Sequence, residues 1–227
     1  KALIRDFGEI EKLQVSIKGP SDFVSNADTK AEKIIIEELK KAKPNYSILS
    51  EEDGSETNKD KDNVWIIDPI DGTTNFLHGV PHFAISIALK SGDEIISGLI
   101  YDPIKDEMFY AEKNNGSFFN NKRIRVSKKK EVDSCLFATG GKEEINIELI
   151  TRKSGSAALD MAYVAAGRYD GYFQDRLNLW DVAAGIIIVK EAGGIVNAID
   201  LSKNDNIKIR ASSSAINEKM LTKLSNF

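Results

Sequence analysis

The chain has 227 residues and a mass of 25.1 kDa, with 41% hydrophobic and 29% charged residues. That is the make-up of a folded globule, either one large domain or two subdomains sharing a core, and it excludes a disordered, collagen-like or coiled-coil chain. Lys+Arg total 31 against Asp+Glu 35, a net charge of −4 that argues against a nucleic-acid binder, while the lone Cys135 excludes an internal disulfide and a cysteine-rich zinc site. No apolar run approaches the roughly 20 residues that cross a bilayer, and no charged-then-apolar leader opens the chain, so a cytoplasmic location without membrane contact is expected.

Residues 1–13 are predicted helical, with Lys18-Gly19-Pro20 breaking that helix. Ala31, Ile34, Ile35, Leu39 and Ala42 fall on one face of a second helix, with Lys and Glu opposite, Asp28 or Thr29 as its cap and Pro44-Asn45 as its end. Residues 53–63 read as an exposed loop. Val64–Ile67, Phe83–Lys90, Glu94–Asp102, Glu107–Lys113 and Lys122–Ser127 read as strands joined by turn signals, which suggests an antiparallel sheet. Beyond residue 140 the pattern alternates: helix Ser156–Ala166, strand Asp170–Gln174, helix Asp181–Ala192, strands Ile195–Ile199 and Ile207–Ser212, and a last helix from Asn217. The expected fold is α/β (α+β) in layers, with an N-terminal subdomain over 1–140 and a C-terminal one over 141–227.

The most informative segment is Trp65-Ile66-Ile67-Asp68-Pro69-Ile70-Asp71-Gly72-Thr73-Thr74-Asn75-Phe76. A buried strand runs into two carboxylates, Gly72 allows a close backbone approach, and Thr73 and Thr74 then open what reads as a helix start, where free N–H groups favour an oxyanion such as phosphate. Phosphate beside two aspartates is repelled unless a divalent cation lies between them, so the segment points to metal-assisted phosphate chemistry. With two histidines and 35 acids, the metal is expected to be hard: magnesium, manganese or calcium. Taken alone, Asp68 reads as a strand-end cap, Asp71 as a turn residue, Ser50-Glu51-Glu52-Asp53 as a solvated acidic turn and Asp181 as an N-cap. Three acidic sites at strand ends or helix starts are harder to dismiss together. Lys128-Lys129-Lys130 reads as a solvated charge run and Cys135 as a small buried hydrophobe.

Asp68–Phe76, together with Trp180-Asp181-Val182-Ala183-Ala184-Gly185 and Glu191-Ala192-Gly193-Gly194, resembles the inositol monophosphatase family, and Lys18–Asp28 resembles its bacterial members. The resemblance implies a layered αβαβα sandwich and Mg²⁺-dependent hydrolysis of a phosphate monoester, in a lithium-sensitive homodimer. It implies two to three ions. Glu51, Asp68 and the Ile70 carbonyl hold the first, Asp68, Asp71 and Asp181 the second, and a weaker third lies near Glu51. Thr73, hydrogen-bonded to Asp28, orients a water, and backbone N–H groups of Gly72 and Thr73 receive the phosphate. Gly155, Ser156, Ala157, Asp71, Asp181 and Gln174 face the alcohol part. Gln174 departs from the glutamate of related enzymes, and the connection from Gly140-Gly141 to Gly155 is shorter than theirs. Inositol monophosphate or a similar polyol phosphate is the implied substrate. Fructose 1,6-bisphosphate, adenosine 3′,5′-bisphosphate and a regulatory role with RNA or the transcription machinery are the alternatives.

Overall fold

The computed structural model describes residues 2–9, 15–19, 22–140 and 149–224. Helix α1 (Ala2–Phe7) ends at Gly8, earlier than the predicted residue 13, and residues 10–13 lie outside the described residues. Where only a helix break is predicted around Lys18, β1 (Val15–Gly19) and β2 (Asp22–Ser25) form an antiparallel hairpin. Helix α2 (Asn26–Ala42) begins at Asn26, which places Asp28 inside its first turn and not at its cap. Its buried face carries Ala27, Asp28, Ala31 and Glu32, while Ile34 of the predicted stripe is 50% exposed. Two acids on the inner face are the first structural sign that this helix packs against something polar.

Strands β3 (Tyr46–Ser50), β4 (Gly54–Glu56), β5 (Asp60–Asp71), β6 (Ala84–Ser91), β7 (Glu94–Asp102), β8 (Glu107–Glu112), β9 (Gly116–Phe119) and β10 (Lys122–Arg123) form one sheet in the order β10-β9-β8-β7-β6-β5-β3-β4. All its pairs are antiparallel except β3 with β5. The predicted loop over 53–63 is therefore partly edge strand. Its polarity comes from its place at the sheet margin, where Ser50 pairs with Gly54 in a tight return. The predicted strand over Lys122–Ser127 stops after Arg123.

The second sheet holds β11 (Leu136–Thr139), β12 (Ile150–Arg152), β13 (Gly171–Leu177), β14 (Gly194–Val196) and β15 (Ile207–Ser213), in the order β12-β11-β13-β15-β14. Because β11 belongs here, a division at residue 140 separates this sheet from its first strand. Residues 141–148, which include the short connection, lie outside the described residues. Helices α4 (Ala157–Ala165) and α5 (Leu179–Glu191) lie between the sheets, and α6 (Asn217–Leu224) packs Met220 against Val132, Cys135 and Phe137. The short α3 (Thr73–Leu77) follows β5. Among the described residues no helix is long and apolar enough to cross a membrane.

Helix α5 explains the layering. Leu179 and every residue from Val182 to Val189 are buried, so it is apolar on all sides and must be covered on all sides. It lies against β5–β9 of one sheet, β14 and β15 of the other, and α4 beside it, in a single core that draws on both sheets. Small residues let it approach closely. A Cβ on Gly98 of β7 would lie 2.7 Å from both the Ala184 carbonyl oxygen and Ile187 Cγ2. Both are fixed parts of α5, so Gly98→Ala should cost about 1–3 kcal/mol by overpacking and lower the melting temperature by about 2–4 °C for each kcal/mol. Thermal unfolding followed by circular dichroism checks this. An unchanged Tm would mean that α5 is free to move away from β7.

Candidate metal centre and active site

Strand β5 brings Asp68 and Asp71 to one site by breaking its own alternation. Residues three apart on a regular strand point to opposite faces. Against β6, Asp68 pairs with Ser86 and Asp71 with Ala84, so β5 carries one extra residue in this stretch. That bulge, built around Pro69, which has no N–H to give the ladder, turns both carboxylates to the same side. The Ile70 N–H donates to Asp68 Oδ1 at 3.0 Å, and Thr73 Oγ1 donates to the Ile70 carbonyl at 2.9 Å. The single hydroxyl proton of Thr73 therefore goes to Ile70, not to Asp28 as the resemblance implies. Gly72 has φ 97°, and a Cβ there would lie 3.2 Å from the carbonyl oxygens of Gly155 and His82. Only glycine fits that turn.

Asp71 is the most firmly held acid. It accepts the Ser156 hydroxyl, the Ala158 N–H at 2.9 Å and the Ala157 N–H at 3.3 Å. These donors belong to the N-terminal turn of α4, whose cap is Ser156. Asp181 sits in the first turn of α5, where its Oδ2 accepts the Asn178 N–H at 2.7 Å. Asn178, not Asp181, is the cap. The parallel pairing of β3 with β5 carries Glu51 to the same end as Asp68, and the Glu51 N–H donates to the Ile67 carbonyl at 3.2 Å.

One oxygen each from Asp68, Asp71 and Asp181 lies within 4.8 Å of the others. Asp68 and Asp71 are almost wholly buried, 1% and 7% exposed. Burial, then the charges of Glu51, Asp71 and Asp181, push the Asp68 carboxyl well above its ordinary range. Burial and the charges of Asp181 and Asp28 raise Glu51 to about 8, and Glu51 and Asp68 are in hydrogen-bond contact. Burial raises Asp71 to about 6, held back by its donors from Ser156 and the start of α4. Among the described residues no lysine or arginine relieves Asp68, Asp71 or Glu51. An all-oxygen set, buried and mutually repelling, fits a hard divalent cation.

Asp71 and Asp181 open onto a cavity of about 220 Å³, also lined by Gly155, Ser156, Ala157, Asp160 and Gln174. The Tyr172 hydroxyl donates to Gln174 Oε1 at 2.8 Å, which directs the other end of the amide away from this buried tyrosine. Four residues given no role by the sequence help to build the site. Glu32, buried on α2, accepts the N–H groups of Glu52 and Asp53 at 3.0 and 2.7 Å and so fixes the turn that carries Glu51. Asn75 Nδ2 donates to the carbonyls of His82 and Ser154, tying the end of β5 to the Gly155 turn. Ser154 donates to the buried Asp160 at 2.8 Å. The only available signal was position: Asn75 lies inside the β5–α3 segment and Asp160 one turn beyond Ser156. Lys18 has a described backbone, while its side chain lies outside the description. Elsewhere, Lys129 bonds Asp170 at 2.9 Å, so the lysine run is not wholly solvated, and Cys135 is buried as expected.

Acids at the end of β5 and the start of α5, beside a polar cavity and between two sheets, could hold a cation, an arrangement that fits an α/β protein of the sugar-phosphatase kind. The inositol monophosphatase family profile matches residues 1–226, and the chain belongs to that family. It is 47% identical to an inositol-1-monophosphatase of Rhizobium meliloti (strain 1021) over 209 residues, 86% of this chain and 79% of the relative. It is 41% identical to the Nus factor SuhB of Escherichia coli (strain K12) over 210 residues, 86% and 79% of the two chains. The crystal structure of the extragenic suppressor protein suhB from Bartonella henselae is similar at a TM-score of 0.90 and 46% identity, covering 98% of this chain and 92% of that one.

The raised acids fix a pH dependence. A carboxyl whose folded pKa lies above its unfolded value stabilises the protein below the unfolded pKa, and that contribution is lost as pH rises through the folded pKa. For Asp71 the window runs from 3.8 to about 6, and for Glu51 from 4.5 to about 8. In excess chelator, Tm should fall as pH rises from 5 to 8.5, and Mg²⁺ should raise it more at pH 8 than at pH 5. A flat Tm in chelator would show that these acids are not held together without metal.

Proposed function

We propose that this protein is a Mg²⁺-dependent phosphatase that hydrolyses inositol monophosphate or a similar polyol phosphate. The observation that supports it best is the set of the buried Asp68 and Asp71 with the half-buried Asp181, of which Asp71 and Asp181 line a cavity with polar groups. Two to three ions are proposed: Glu51, Asp68 and the Ile70 carbonyl for the first, Asp68, Asp71 and Asp181 for the second, and a weaker site near Glu51. Bound there, Mg²⁺ would lower the pKa of a water and offset the charge of phosphate. Thr73 acts through the Ile70 carbonyl, which it holds by its hydroxyl. Asp28 adds negative charge beside Glu51. The N–H groups of Gly72 and Thr73 receive the phosphate. Gly155, Ser156, Ala157 and Gln174 form the wall for the alcohol. A homodimer in the cytoplasm completes the proposal. A second reading, a role with the transcription machinery, is favoured by the 41% identity to a Nus factor and is compatible with the first.

Metal dependence is the direct test. Mg²⁺ should support phosphate release, and chelator should abolish it. High Ca²⁺, which tolerates looser geometry, should inhibit, and so should Li⁺. Asp181→Asn separates ligand from cap, because asparagine keeps an oxygen for the Asn178 N–H but loses the charge. Its turnover should fall by orders of magnitude with Tm nearly unchanged. Near-normal turnover in the folded variant, or full activity in chelator, would refute the metal assignment.

Gln174→Glu tests recognition apart from chemistry. With Oε1 held by Tyr172, Gln174 presents its amide nitrogen to the cavity, a donor only. Glutamate would present an acceptor to substrate hydroxyls. A hydrogen bond to a charged group contributes roughly 1.5–3 kcal/mol, against about 0.5–1.5 for a neutral one. The preference for inositol phosphates over glycerol phosphates and sugar bisphosphates should therefore rise by up to about tenfold in kcat/KM. The Mg²⁺ requirement should stay where it was. Unchanged substrate ratios would take Gln174 out of the alcohol pocket.

A further inference from the structure

A second concave site lies along the inner face of the eight-stranded sheet. On β6 the inward row runs Ala84, Ser86 and Ala88, all buried, and its next member is Lys90. Lys90 stands opposite Val64 of β5, and with Val64 and Ile66 it lines a groove of about 330 Å³. Leu179 and Leu201 form the apolar part of the wall, and Lys61 stands with Lys90 as its cations. The groove shares no lining residue with the cavity at Asp71 and Asp181.

The charges in this groove do not balance. Glu56 is the one acid in the wall, and it is held 2.6 Å from Lys40, outside the groove. Neither Lys61 nor Lys90 has a carboxylate partner among the described residues. A cation in an inward-facing row, half-buried beside aliphatic side chains, gives up hydration without a protein anion to offset it. The volume lies at the lower end of small-molecule sites, which combine apolar walls with a few polar groups.

We propose that this groove binds a small organic anion. Its phosphate, sulfonate or carboxylate group lies between Lys61 and Lys90, and its apolar ring lies on Val64, Ile66, Leu179 and Leu201. The strands and helix forming the wall run on to Glu51, Asp68 and Asp181, so the occupant sits behind the proposed metal centre without entering it. The inference does not rest on the proposed phosphatase activity.

Naphthalene-2-sulfonate is the probe, because it has the ring and the charge but no ester to hydrolyse. Calorimetric titration into the full chain is done in chelator, where the carboxylate site repels anions. One saturable site is expected, with the neutral naphthalene-2-sulfonamide at least about tenfold weaker. Lys90→Gln and Lys61→Gln should each weaken the sulfonate about fivefold. Asp181→Asn should bind it as the parent does. Thermal melts confirm that each variant is folded, and Lys61, being exposed, tolerates substitution even if Lys90 does not. Absence of saturable binding, equal binding of the neutral analogue, or parental affinity in the folded lysine variants would overturn the proposal. In the last case the lysines simply reach past the apolar wall to water.

Discussion

Mutual repulsion among buried carboxylates is the constraint around which the molecule is built. Asp68, Asp71 and Asp181 bring oxygens within 4.8 Å of one another, with Glu51 in contact with Asp68. Left ionised and uncompensated, each such group costs several kcal/mol. Among the described residues the protein sets no lysine or arginine among the main influences on Glu51, Asp68 and Asp71. It answers with rigidity, each acid being held by a different element: Asp68 by the bulge of β5, Asp71 by the first turn of α4, Asp181 by the first turn of α5 and Glu51 by the parallel ladder and Glu32. Those elements stay together because α5 is apolar on every side and closes the core between two sheets. The core thus supplies the free energy that keeps a repelling set assembled.

The four acids are not equivalent. Asp71 accepts three donors and is raised only to about 6, whereas Glu51 faces the charges of Asp181 and Asp28 and is raised to about 8. The donors at the start of α4 favour the ionised form of Asp71, whereas the neighbouring acids disfavour that of Glu51. A divalent cation held by these carboxyls would compete with their protons, so its affinity would depend on pH. Asp71 also lines the polar cavity, beside Ser156 and Gln174. The same hydrogen bonds therefore lower its pKa and set the wall of the cavity.

Much of this was legible in the sequence because local chemistry and tertiary role agree. Asp68-Pro69-Ile70-Asp71-Gly72 reads as the end of a buried strand with acids at its tip, and that is where the structure puts it. Trp180-Asp181 before an apolar run reads as a helix start, and Asp181 does serve the helix, three residues beyond the cap Asn178. What failed to show is what depends on neighbours distant in sequence. Strict alternation would send Asp68 and Asp71 to opposite faces, and only pairing with β6 reveals the extra residue. Glu32 looks like one more solvated glutamate on the polar side of α2, because nothing near it in sequence announces the turn at Glu52 and Asp53. The hydroxyl of Thr73 has two acceptors within plausible reach, and geometry, not composition, selects Ile70. The hairpin of β1 and β2 did not stand out for a simpler reason: strands of five and four residues are too short to establish a period, and the Gly19-Pro20 between them reads equally as a helix break.

The division of labour between the sheets bears on how specificity can change. The acids come from the eight-stranded sheet and the start of α5, while Gln174, Tyr172 and the end of β11 come from the five-stranded sheet. Gln174 lies close against Gly140, where a Cβ would sit 1.9 Å from its Oε1, so the amide is confined between that backbone and the Tyr172 hydroxyl. Its orientation is set by a buried partner, Tyr172, that is not itself a proposed ligand of the metal. A change at residue 174 can therefore exchange a donor for an acceptor in the proposed alcohol wall while the acids keep the hydrogen bonds described for them. The reverse does not hold for Ser156. Its hydroxyl serves Asp71 and caps α4 through Leu159 at 3.2 Å, so a change there would reach the cavity wall, the proposed metal ligand Asp71 and the helix at once. Recognition is free to vary on one sheet because repulsion is contained on the other.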